Sequence, residues 1–75
     1  MLNDVVGWEE GPNGRTVTVY ARVSGNRIFF SRDEAMVYPE PGTIIRAFPS
    51  TYLVLGLERM VNADVLHVEK VMPRG

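Results

Sequence analysis

Tyr20, Arg22, Arg27 and Phe29 are the residues whose types and spacing point most directly to chemistry. Aromatic rings stack on unpaired bases and guanidinium groups follow phosphates, so rings and arginines on one surface suit single-stranded nucleic acid. Arg46, further along the chain, adds a third cation to this candidate set. The same residue types populate protein interfaces. An arginine stacked on a cross-strand phenylalanine can also be purely structural. Three readings therefore stand side by side: single-stranded DNA or RNA, a protein partner, or a structural pair.

Catalytic chemistry has little to work with. The chain has one histidine and no cysteine, so thiol nucleophiles are absent and a histidine-centred triad has only His67. His67 and Glu69 share a strand face as an H-x-E pair, but a catalytic zinc site ordinarily uses three protein ligands. Glu9-Glu10 and Asp33-Glu34 are neighbours in sequence, and neighbouring side chains on an extended chain point apart. Gly11-Pro12-Asn13-Gly14 lacks the lysine and following helix of a phosphate loop and reads as a turn. The expectation is a binding module, not an enzyme, with no catalytic residue, metal or cofactor.

The elements that must position the candidate residues follow from turn chemistry. Gly25-Asn26 lies between two β-rich runs in RTVTVYARVSGNRIFFSR, residues 15–32, and predicts a two-residue hairpin. That turn pairs Val23 with Ile28, Arg22 with Phe29, Ala21 with Phe30 and Tyr20 with Ser31. One face then collects Val17, Val19, Ala21, Val23, Ile28 and Phe30 as a core face. The other presents Thr18, Tyr20, Arg22, Arg27 and Phe29.

Beyond the hairpin, Ser31-Arg32-Asp33-Glu34 has the form of a capping box that predicts a helical turn through Val37, ended by Pro39 and Pro41. Thr43–Ala47, Tyr52–Leu57 and Val65–Met72 read as strands, the last stopped by Pro73. Trp8, in the N-terminal apolar segment, reads as a lid on the core. Five short strands with turns between them predict an all-β fold, a small five-stranded OB-like or SH3-like barrel. Leu57, Met60, Val61, Val65 and Val68 also fit spacings of three and four, so the alternative is an α+β fold with a C-terminal helix over residues 57–70.

The stretch from Pro41-Gly42 to the segment ending Val71-Met72-Pro73 is loosely similar to the small single-stranded DNA-binding proteins of filamentous phages. That resemblance covers about half the chain and implies an OB-like dimer. The lysine-rich character and aromatic pattern of that family are not matched here.

Seventy-five residues make one small β domain, 1–75, near the lower limit for a self-sufficient core. Without cysteines to staple it, burial against a second copy is the expected remedy, giving a homodimer. No basic leader or apolar run of membrane-spanning length is visible, so a cytoplasmic protein without membrane contact is expected. The net charge of -1 is unevenly distributed. Residues 1–14 carry -3, residues 15–32 carry +4, residues 33–45 carry -3, and the rest carry +1. The acidic flanks make a protein-binding adaptor or inhibitor, of phage-type or accessory kind, the rival to nucleic-acid binding.

Overall fold

Alternation of apolar and polar residues, interrupted at each turn, produces six strands in the computed structural model, which describes residues 3–11 and 13–72. Pro12 of the first turn, Pro73 at the end of the last apolar segment and Arg74 of the charge tally lie outside the described residues. The strands are β1 (Asp4–Glu10), β2 (Arg15–Ser24), β3 (Arg27–Ser31), β4 (Ile44–Ala47), β5 (Ser50–Arg59) and β6 (Ala63–Val71). They close into an antiparallel barrel in the order β1-β2-β3-β6-β5-β4. The small all-β barrel is as expected, but with six strands instead of five. Every apolar segment between turns joins the sheet, including the N-terminal one, which pairs with β2 from Asp4–Ala21 to Glu10–Arg15.

The ring is two three-stranded meanders, β1-β2-β3 and β4-β5-β6, joined by β3 to β6 and by β1 to β4. This topology places β3 and β4 three strands apart in either direction. The segment 32–43 that links them must therefore cross an end of the barrel. It does so with Pro39 buried and with Met36 and Tyr38 packed against the core. Tyr38 meets Phe30 edge-on at 5.1 Å, and Phe30 meets Trp8 edge-on at 6.3 Å, so three rings seal that end. Trp8 is part of the core, as its position suggested.

No helix occurs among the described residues, and so none long and apolar enough to cross a membrane. The helical spacing over 57–70 is a coincidence of two strands and their turn. Leu57 and Leu66 are cross-strand partners, whereas Met60 and Val61 sit exposed in the turn between β5 and β6. The capping-box motif builds a single turn instead of a helix. The Asp33 side chain accepts from the Ala35 amide at 2.9 Å, and the Asp33 carbonyl accepts from the Met36 amide at 3.1 Å. Arg32 then donates to the Met60 carbonyl at 2.8 Å, tying the crossing segment to the β5–β6 turn.

Candidate binding face

The hairpin forms at the expected place, with Ser24–Arg27, Val23–Ile28 and Arg22–Phe29 as partners. It stops there. Ala21–Phe30 and Tyr20–Ser31 are not partners, because the two strands diverge there, each following the neighbour on its outer edge. β2 is held along β1, and β3 from Arg27 to Ser31 is held along β6. The face assignment survives this divergence, since it depends only on the alternation of side chains. Ala21, Ile28 and Phe30 are buried, and Val17, Val19 and Val23 pack against the core. Thr18, Tyr20, Arg22 and Arg27 point outward and are exposed, while Phe29 is half-buried.

Phe29 is half-buried for identifiable reasons. The Arg22 guanidinium lies 4.9 Å from the centre of its ring, a cation–π pair across the ladder. On its other side Phe29 faces Val65 of β6. Val65 alternates outward, away from the barrel core, yet is only 2% exposed. The register sets Phe29 to one side of it and Glu58 of β5 to the other. Phe29 thus belongs to a small outer cluster rather than to an open stacking platform. Tyr20, in contrast, is 68% exposed beside Val5, and its ring is free.

The electrostatics are mixed. Arg27 is the cross-strand neighbour of His67, whose Nε2 lies 2.8 Å from Glu58 Oε1. Glu58 therefore lies two strands from Arg27, and on the other flank Asp4 Oδ2 accepts from the Val23 amide of β2 at 2.8 Å, so carboxylates border the arginines on both sides. His67 is engaged with Glu58 and not with Glu69, and no group of three metal-ligating side chains occurs among the described residues. Arg46 does not join the others. It sits on β4 between Gly7 and Thr51, on the opposite side of the ring from β3.

Two features were not legible in the sequence. Phe48, at the β4–β5 turn, is 97% exposed beside a cleft of 440 Å³ at the ends of β5 and β6. The signal for it was an aromatic residue at a turn tip, outside the strand alternation. The second is Asp64, fully buried at the end of the barrel crossed by Tyr38. Tyr38 donates to Asp64 Oδ2 at 2.6 Å, and Arg59 Nε lies 4.0 Å from Oδ1. Near this end, a cleft of 290 Å³ is lined in part by Glu9, Glu10 and Glu40, a poor setting for phosphate. The chain matches no known protein family, no curated protein and no solved structure.

Proposed function

We propose that the protein is a non-enzymatic binding module that holds single-stranded nucleic acid against the outer face of β2 and β3. The observation that carries this reading is one continuous outward surface bearing Tyr20, Arg22, Arg27 and Phe29, with no carboxylate on either strand. In OB-like barrels the face of strands two and three is where oligonucleotides lie, and an OB-like character for this barrel is part of the same proposal. Tyr20 supplies the free ring for a base. Arg22, already held over Phe29, presents its guanidinium edge without further ordering, and Arg27 meets phosphate. Arg46, on the far side of the ring, contributes nothing to this face. A cytoplasmic setting goes with this reading.

Two or three phosphate contacts give a shallow salt dependence, with a log–log slope of about -1.4 to -2.1 for a single strand. The test is fluorescence anisotropy of labelled oligo-dT and oligo-U at low salt. Trp8 is buried in the core and is a poor reporter for this surface. Binding that weakens for Tyr20→Ala and for Arg22→Ala is expected. No binding at low salt, or binding indifferent to both substitutions, defeats the reading.

A protein partner is the second reading, favoured by the apolar side chains Ile44, Phe48, Leu55, Val71 and Met72, exposed on the meander of β4 to β6. Retention of a defined partner after nuclease treatment would support it.

A further inference from the structure

We propose that the protein forms a two-fold dimer in which Phe48 of each copy seats in the cleft at the ends of β5 and β6 of the other. Phe48 is 97% exposed, so its ring has no seat among the described residues. The cleft beside it, of 440 Å³, is walled by Pro49, Ser50, Thr51, Lys70, Val71 and Met72. Pro49 and Ser50 belong both to that wall and to the adjoining hollow that Phe48 itself lines, so Phe48 and the cleft are neighbours on one surface. A projecting ring and an apolar cleft side by side on one surface are self-complementary under a two-fold axis. Each copy gives one knob and receives one, and the contact closes at two copies.

Charge and backbone agree with this occupant. Lys70 flanks the cleft, and Asp4 lies on the other flank of Phe48, where both line an adjoining hollow. The two-fold sets Lys70 of one copy toward Asp4 of the other, whose Oδ2 already accepts from its own Val23 amide at 2.8 Å and so is held in place. The ladder of β6 with β3 ends at Arg27–His67, with one further bond from the Val68 amide to the Asn26 carbonyl. Among the described residues Glu69 to Val71, paired with β5 on one edge, therefore have no partner on the other, a surface that natural barrels usually cover.

Two phenylalanine knobs and their cleft walls bury on the order of 600–1,000 Å² in total. That is below the roughly 1,200–2,000 Å² of stable interfaces and in the range of weak, transient ones, so a dissociation constant on the order of tens of micromolar or weaker is expected. None of Tyr20, Arg22, Arg27 and Phe29 lines the cleft, although β6 adjoins β3 in the ring, so dimerisation and oligonucleotide binding are measured separately.

Sedimentation equilibrium of the full chain, from low to high micromolar concentration, tests it. The wild type should pass from monomer to dimer and no further. Phe48→Ser, at a position without packing to lose, should keep its far-UV spectrum and weaken association about 30-fold. Met72→Asp, which charges the cleft, should do the same. Mixing the two variants should restore weak association, since one carries an intact cleft and the other an intact knob. A wild type that stays monomeric overturns the proposal and leaves the surface to a different partner. So does a dimer that Phe48→Ser leaves intact, or a mixture no more associated than its components.

Discussion

Asp64 shows how one side chain ties the crossing segment to the barrel. Its carboxylate is fully buried, which is tolerated only where partners replace water. Tyr38 supplies the hydrogen bond to Oδ2, while Oδ1 has no hydrogen-bond partner among the described residues and lies 4.0 Å from Arg59 Nε. Tyr38→Phe removes the donor without changing the packing of the ring. It should lower stability in urea denaturation by about 1–3 kcal/mol, the cost of leaving a buried acceptor unpaired. Asp64→Asn keeps an acceptor for the Tyr38 hydroxyl and should cost less; a larger loss for Asp64→Asn would assign the weight to the Arg59 ion pair. The pH dependence has a definite sign. Burial first, then the hydrogen bond and the negative charge of Asp64, push the Tyr38 hydroxyl well above its ordinary 10.0, with Arg59 opposing. The folded state therefore keeps a proton that the unfolded chain releases. This contribution is fully present below pH 10.0 and is lost as pH rises above it. Urea midpoints should fall more steeply above that pH in the wild type than in Tyr38→Phe, and parallel curves would remove Tyr38 from the account.

The hairpin is the element whose sequence and structure agree most closely, and its turn shows why. Gly25 has a φ of 58°, and no residue other than glycine has a positive φ among the described residues. Asn26 therefore has a negative φ, which excludes the type I′ turn and fits type II′, with glycine in the first central position. A Cβ at Gly25 meets nothing within 4 Å, so Gly25→Ala tests the backbone alone. About 1–2 kcal/mol of destabilisation is expected from its denaturation midpoint, and an unchanged midpoint would mean the turn relaxes to another form. Because side chains alternate with period two, this turn made the inner and outer faces of β2 and β3 legible without any long-range knowledge. The length of the ladder was not legible. Whether Ala21 pairs with Phe30 depends on how far β1 and β6, bonded to the outer edges of the two strands, carry them apart, and neither is local to the hairpin. The helical alternative over 57–70 arose for a related reason, and the strand reading is the one the fold bears out. Leu57 and Leu66 satisfy helical spacing and cross-strand pairing alike, and only the neighbours on either side of β6 decide between them. Arg46 and Phe48 are the same lesson at the surface, since ring position and protrusion have no signature in local spacing.

At the scale of the whole molecule, the barrel is closed unevenly, and this sets where it opens. β1 is paired with β2 along its length, and β5 with β6 from Thr51–Val71 to Arg59–Asp64 around a bulge at Leu55. The seam between β1 and β4 rests on the single partnership of Gly7 with Arg46. Gly7 faces a second constraint, since a Cβ there would stand 3.3 Å from the Val17 carbonyl oxygen of the neighbouring strand. The seam thus has few shared hydrogen bonds, while the close backbone approach at Gly7 lies on the other edge of β1, against β2. The two meanders are each continuous in sequence, whereas both joins between them are long-range, and β3 to β6 is by far the more extensive. Local opening follows the lowest density of buried contacts and shared hydrogen bonds. The barrel should therefore open first by parting β1 from β4, with the two meanders still joined through β3 and β6. Native-state hydrogen exchange across a series of low denaturant concentrations reads this directly. Amides bonded across the β1–β4 seam should exchange through a small opening with little denaturant dependence. Those of Val54, Leu66 and Val68, central in β5 and β6 and buried, should exchange only with global unfolding. Seam amides as protected as Val68 would mean that the barrel closes as one cooperative unit, and that β1 and β4 are held by side-chain packing of Val6, Trp8, Ile45 and Ala47 within the core rather than by their ladder.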